Sequence, residues 1–288
     1  MELDLQGYVK VPGGSVWYGV AGSDKKGAPL LTLHGGPGAP HDYLEPLAEL
    51  ADERPVIFYD QLGCGNSDKP SDNSLWTVGR FSHELACVRT ALGIDKFHLL
   101  GQSWGTMLAV DYMLRNPKDV KSLILSAPAI SASRFVSDVR EYLGDLPEDK
   151  KEIIAACEAE GRYDSEEYAD AVMAFYRLHL CRMDPWPECL QRTVDRMGQE
   201  VYSYMWGASE FTLTGTLKDF ERADYLGKIN VPTLFTCGRY DESTPNATAY
   251  YSSKLPGSRV VVFEDASHNH HLEKKEEYLR VVREFLGA

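Results

Sequence analysis

Ser103 lies in Gly101-Gln102-Ser103-Trp104-Gly105, a G-x-S-x-G pentapeptide between two apolar stretches. A serine hydroxyl is a poor nucleophile at neutral pH and needs a base within hydrogen-bond reach. That base needs an acid on its other nitrogen to hold its tautomer and orientation. Asp241 in "RYDESTPN" and His268 in "DASHNHHLEK" can fill these two places. The order Ser103, Asp241, His268 suits a nucleophile on a tight strand-to-helix turn. The chemistry implied is acyl transfer through a covalent intermediate. It requires N–H groups aimed at the developing oxyanion. Trp104, next to the nucleophile, is one expected donor, and Gly36 in the Gly-rich loop "TLHGGPGAP" is the other. A phosphate-binding reading of that loop fails, because neither a Walker lysine nor G-x-G-x-x-G accompanies it.

Three histidines, His268, His270 and His271, fall within four positions. The group could supply a base, a metal site or surface residues. His268 is singled out by its place in the loop after the last apolar run. On a continuous helix His270 shares a face with Lys274 and Glu277, so it is expected in solvent. His271 shares a face with Lys275 and Tyr278, so it is expected to be partly covered. A zinc site needs further ligands at suitable spacing. The sequence offers no such set, so neither a metal nor a cofactor is expected.

The elements that must hold these residues follow from the apolar pattern. "GYVKVPGGSVWYGV" reads as a hairpin turning at Pro12-Gly13-Gly14. "PLLTLHG", "PVIFYD", "FHLLG", "VKSLILSAP", "PTLFTCG" and "RVVVFED" are short, nearly continuous apolar runs, as in strands buried on both faces of a parallel sheet. Helical stretches separate several of them, among them "HELACVRTAL" and "GTMLAVDYMLRN", the latter ending before Pro117. At the C-terminus "HLEKKEEYLRVVREFL" puts Leu272, Leu279, Val282 and Leu286 on one stripe. Strands alternating with helices mean an α/β fold with crossover connections. Residues 131–225 break the alternation with helical stretches rich in Tyr, Trp and Met. The expected organisation is therefore a core of residues 1–130 and 226–288 with a helical cap at 131–225. Ligands of open α/β sheets bind beyond the strand C-termini, so the cap is expected to act as a lid. Trp186, Tyr202, Tyr204, Trp206 and Phe211 could line the space beneath it.

Composition narrows the function classes. The 288 residues carry a net charge of −13. An acidic chain without a basic run argues against nucleic acid and anionic membrane as partners. The N-terminal stretch resembles no signal peptide. No apolar run reaches the ~18 residues of a membrane span. Six scattered cysteines without a CxxC suit free thiols in a reducing cytoplasm.

Four motifs in sequential register carry a family resemblance: "HGGPG" at 34–38, "DQLGCGNS" at 60–67, "GQSWG" at 101–105 and "GRYDE" at 238–242. With "GASEFTLTGTLKDF" at 207–220, they make the chain resemble the proline iminopeptidases of the α/β-hydrolase superfamily, especially the tricorn-interacting aminopeptidase branch. The resemblance implies an α/β-hydrolase fold with a mostly parallel eight-stranded sheet. It also implies hydrolysis of the bond after a free N-terminal residue, often proline, in a short peptide or an aminoacyl amide or ester. It assigns Glu210 and Glu242 to the substrate's α-ammonium group and places Gly35 against the substrate. Two readings of the glutamates stand at this point: a semi-buried ammonium site, or a helix cap (Glu210) and a surface charge (Glu242). Trp104 replaces a residue that is often Tyr, which would reshape the pocket. An amino-acid amidase, an esterase or a lactonase would use the same triad, and a non-catalytic receptor could retain it. Epoxide hydrolases and haloalkane dehalogenases are disfavoured, since they carry Asp where this chain has Ser103.

Overall fold

The computed structural model describes residues 1–115 and 117–287. Asn116, the last residue of the helix expected before Pro117, and Ala288, the last of the expected core, lie outside the described residues. All of the expected strands form. They are β1 (Leu5–Val11), β2 (Gly14–Ala21), β3 (Leu30–Leu33), β4 (Val56–Tyr59), β5 (Phe97–Gln102), β6 (Val120–Ser126), β7 (Thr233–Gly238) and β8 (Arg259–Phe263). They make one eight-stranded sheet in the order β1-β2-β4-β3-β5-β6-β7-β8. The β1–β2 and β2–β4 pairs are antiparallel, and every other pair is parallel.

Side chains alternate between two cores, as the two-residue period of a strand requires. Leu99, Leu123 and Leu125 pack on one face, with α1 (Val78–Ala91) and α2 (Trp104–Leu114). Leu100 and Ile124 pack on the other, against Leu44, Leu47 and Leu50 of the 3-10 helix His41–Asp52. Tyr278, Val282 and Phe285 of α10 (Lys275–Gly287) complete that second core. Burial on both faces is why these strands read as unbroken apolar runs.

The chain passes from β3 outward to β4, then back across to β5 on the other side of β3. The strand order therefore reverses between β3 and β5, where open α/β sheets leave a crevice at the strand C-termini. The loops holding Gly36 and Ser103 leave these two strands side by side, with Leu33 paired to Gly101.

The G-x-S-x-G glycines are required by packing. A Cβ on Gly105 would run into the Leu33 carbonyl oxygen, and one on Gly101 into the Gly105 carbonyl oxygen. Gly105→Ala is expected to lower stability by about 1–3 kcal/mol. A denaturant midpoint that falls at unchanged slope would show it.

Among the described residues, five α-helices lie between β6 and β7: α3 (Ala132–Tyr142), α4 (Glu148–Glu160), α5 (Glu166–His179), α6 (Glu188–Asp195) and α7 (Gln199–Met205). Among the described residues of 131–225 only isolated bridges, Ser131 with Glu221 and Gly207 with Leu213, have β character. Arg192 of α6 and Arg196, which caps its C-terminus, pair with Asp42 beside the sheet, which ties this segment to the core. The 3-10 helix, α7 and α8 (Pro245–Ser253) have no counterpart in the sequence reading. The 3-10 helix carries Pro46 inside it, which obscures its helical pattern. Among the described residues no helix is long and apolar enough to cross a membrane.

The C-terminal helix expected from residue 271 is divided. A short α9 (His270–Glu273) ends at Lys274, which has φ −126° and ψ 46°, before α10 begins. Glu273 is turned back to accept from the Ser267 N–H at 2.6 Å. The break cancels the face that His270 was expected to share with Lys274 and Glu277. His270 is fully buried and stacks on Phe263 at 5.3 Å. His271 is buried as well, 2% exposed, with Nε2 3.1 Å from the Tyr43 carbonyl. The expected exposure of His270 is thus corrected, and His271, expected to be partly covered, is covered almost completely.

Candidate active site

Ser103 sits between β5 and α2 at φ 54° and ψ −123°. A positive φ on a non-glycine residue costs of order 1–3 kcal/mol, and surrounding structure must hold it. Here the Ser103 N–H donates to the Ser126 carbonyl at 3.0 Å, and the Thr106 N–H donates to the Ser103 carbonyl at 2.7 Å. Ser103 is the N-cap of α2, yet its hydroxyl makes no capping bond. The Oγ therefore stands at the positive end of a helix without serving it.

His268 and Asp241 follow β8 and β7. The His268 Nδ1–H donates to Asp241 Oδ1 at 2.7 Å, which leaves the Nε2 lone pair for a proton. Asp241 is fully buried, and the Ser243 N–H donates to the same oxygen at 2.8 Å. Burial disfavours the His268 imidazolium. The charge and hydrogen bond of Asp241, with Glu210 and Glu273 adding to them, outweigh burial and hold the pKa above its ordinary 6.5. Burial drives the other two histidines of the cluster down, His271 to about 4 and His270 well below its usual range. Of the three imidazoles, His268 is the one whose surroundings favour taking a proton.

The loop after β3 is held from several sides. The Gly35 N–H donates to the Tyr43 hydroxyl at 2.7 Å, and that hydroxyl donates to Gln102 Oε1 at 2.5 Å. Gln102 Nε2 reaches the His268 carbonyl at 3.4 Å, which links the loop to both Ser103 and His268. Because the Gly35 N–H is already engaged, Gly35 can meet a substrate only by contact. Gly36 has φ +104°, a conformation that favours glycine.

"DQLGCGNS" braces this arrangement. Asp60 accepts from the His41 ring and N–H and from the Asn66 N–H. The Gln61 N–H donates to His34 Nε2 at 2.9 Å, while burial brings the His34 pKa to about 4. Gln61 Oε1 accepts the Trp104 indole N–H at 2.9 Å. Trp104 is fully buried and packs edge-on to Phe81. Its side chain is therefore absent from the cavity lining, contrary to the expectation that it reshapes the pocket.

A cavity of about 260 Å³ lies over these groups. Ser103, His268, Gly35, Gly36 and Glu210 line it, with an apolar wall that includes Met173, Leu180, Trp186 and Leu190. Of the aromatics expected beneath the cap, Trp186 and Tyr202 reach it. Trp206 and Phe211 pack instead on Phe135 and Phe175, and Tyr204 is exposed. Glu210 Oε1 accepts from the Tyr202 hydroxyl at 2.8 Å. Burial pushes the Glu210 carboxyl up, against the opposing pull of His268 and Tyr202. Glu242 is fully buried, with neither oxygen hydrogen-bonded among the described residues and Oε1 3.7 Å from His268 Nδ1. Burial, then Glu210 and Asp241, push its carboxyl well above the usual range. This removes the surface-charge reading of Glu242.

His41, Asp42 and Glu45 bring potential metal-ligand atoms within 4.8 Å of one another. Their atoms are already engaged: Asp42 by Arg196, Glu45 by Arg192, and the His41 ring by Asp60. This group fastens α6 to the core.

A family model described as the alpha/beta hydrolase fold matches residues 28–275. A proline iminopeptidase of Heyndrickxia coagulans is 45% identical, over 98% of this chain and 99% of that protein. The chain belongs to the proline iminopeptidase family of α/β hydrolases. Among solved structures, the crystal structure of VinJ superimposes with a TM-score of 0.96 at 35% identity, covering 99% of both chains. That of the proline iminopeptidase of Mycobacterium smegmatis gives 0.90 at 36%, covering 98% of both.

Several residues of this iminopeptidase-family site escape sequence reasoning. Tyr43, Tyr176 and Met197 line the cavity without belonging to any of the motifs, and Gln102 belongs to one only as its variable position. Tyr43 lies in the 3-10 helix, and Tyr176 is far from the motifs along the chain. The α/β-hydrolase architecture alone brings them together.

Proposed function

We propose that the chain is a serine aminopeptidase that cleaves the bond after a free N-terminal residue, proline or another small apolar one. Its substrates are short peptides or aminoacyl amides. The observation that carries this reading is the pair of carboxyls, half-buried Glu210 and fully buried Glu242, beside Ser103 and His268. An ammonium group supplies the donors that Glu242 lacks among the described residues, and adds to the one that Tyr202 gives Glu210, through charge-assisted hydrogen bonds. A chain-internal peptide bond brings no such charge. The cavity is near the small end for ligand sites, which suits a short substrate.

Ser103 Oγ attacks the carbonyl carbon while its proton passes to His268 Nε2. Asp241 stabilises the imidazolium. The Gly36 and Trp104 N–H groups hold the oxyanion. His268 then protonates the leaving amine, the C–N bond breaks, and an acyl-Ser103 ester remains. Water, deprotonated by His268, releases the amino acid. The chain's own residues supply every group in this sequence. Residues 131–225 act as the cap that closes the cavity. Free thiols, six in all, fit a reducing compartment such as the cytoplasm.

The test is a panel of aminoacyl arylamides with free and acetylated amines, beside simple esters. Strong preference for the free amine supports the proposal; equal or faster hydrolysis of amine-free esters would turn it toward an esterase or lactonase. The pH profile gives a second check. His268 must be neutral to act, so kcat/KM should fall about tenfold per pH unit below its raised pKa, above 6.5. The substrate amine must be charged, so a free-amine substrate should also lose rate above about pH 8. An amine-free ester should keep only the acid limb. An alkaline limb on both substrates would count against the ammonium site.

A further inference from the structure

The C-terminus of α5 meets both catalytic loops. A helix ends with carbonyls that have no partner of their own. Here the His179 carbonyl accepts the His268 N–H at 3.0 Å, and the Leu180 carbonyl accepts the Asn269 N–H at 2.9 Å. The Asn269 side chain donates to the Leu180 carbonyl too, at 2.9 Å. The His179 ring makes the other connection: its Nδ1–H donates to the Tyr240 carbonyl at 2.9 Å, one residue before Asp241. His179 is buried, stacked on Tyr142 at 4.4 Å and held by Phe175 at 4.8 Å. Its Nε2 has no hydrogen-bond partner among the described residues and lies 3.6 Å from Asp145 Oδ2. One residue from outside the sheet thus grips the loop of the acid with its ring and the loop of the base with its backbone.

We infer that His179 is a positioning residue, through which helix α5 sets the geometry between His268 and Asp241. The acid and the base sit on loops after two adjacent strands, and a 2.7 Å bond must be held between them. A displacement of about 1 Å at such a pair can cost on the order of 100-fold in rate. The α5 end adds an electrostatic contribution. Its carbonyls carry the negative end of the helix dipole, which favours the imidazolium that forms on His268. Neutral His179 has one N–H to give, and the Tyr240 carbonyl takes it. The inserted segment is therefore part of the catalytic support as well as the cavity wall.

This inference rests on Ser103, His268 and Asp241 acting as the triad, and the test separates the two. The rate of Ser103 labelling by a fluorophosphonate probe is measured for the whole protein and for three variants, each with its thermal midpoint. Asn places its amide nitrogen where Nδ1 stands; Gln places it at Nε2, away from Tyr240; Phe keeps the ring without a donor. His179→Asn should label within about threefold of the unaltered protein. His179→Gln and His179→Phe should label about tenfold slower, as expected for one lost hydrogen bond. On a prolyl arylamide the loss should appear in kcat, with KM little changed. Should Phe fail to fold, the Asn and Gln pair still decides. Equal rates in Asn and Gln, fast or slow, would overturn the role of His179. An unaltered protein that does not label would instead overturn the triad.

Discussion

Ser103→Ala is expected to abolish turnover, with kcat reduced on the order of 10⁴–10⁶-fold, and to remove fluorophosphonate labelling. The size follows from the concerted use of the triad. Without Oγ there is no bond for His268 to assist, and only the oxyanion donors and substrate binding remain. The fold should survive. The Ser103 hydroxyl caps nothing in α2, and the backbone bonds to Ser126 and Thr106 are independent of the side chain. A thermal midpoint close to that of the unaltered protein, with turnover gone, is the expected pair of results. Activity retained by the alanine variant would sink the acyl-enzyme scheme.

Glu242→Gln should reduce kcat/KM on the order of 100-fold for substrates with a free amine. Amine-free esters should change by less than about threefold. Removing one partner of a buried charge pair costs about 2–5 kcal/mol. Glu242 has no hydrogen-bond partner among the described residues, and burial, with Glu210 and Asp241 nearby, favours its protonated form. In the empty site it therefore resembles a glutamine already. An arriving ammonium ionises it and gains an ion pair that glutamine cannot offer. Stability should be unchanged or higher, because an unpartnered buried acid opposes folding. Glu210→Gln should act in the same direction, with a smaller effect because Tyr202 already donates to that carboxyl. Parallel losses on free-amine and amine-free substrates would show that these residues shape the pocket without recognising charge.

The proposed triad and the sheet were legible because each is a local or periodic signal. Apolar runs gave the strand positions, and Gly101 and Gly105 marked the turn around Ser103. Each member of the proposed triad follows the C-terminal end of its own strand, as chain order implied. The sequence pattern failed where long-range contacts overruled local ones. His270 read as a helix-surface residue and His271 as a partly covered one, but Glu273 turns back to Ser267 and the helix breaks at Lys274. Both rings are then buried, where burial keeps them neutral. Trp104 looked like a pocket wall, but a hydrogen bond to Gln61 directs its ring into the core.

By itself, then, the sequence determined which atoms could carry the reaction: a serine on a strained turn, an acid and a base on later loops, and glycines where backbone must approach closely. These follow from residue type, spacing and chain order. Only the tertiary structure decided which carboxyls have no hydrogen-bond partner, which of three histidines can take a proton, and that His179 bridges the two loops. Those properties depend on burial and on partners more than 25 residues away in the chain, such as His179 and His268. No local pattern encodes them, because desolvation and hydrogen bonding are set by what the fold places around a group.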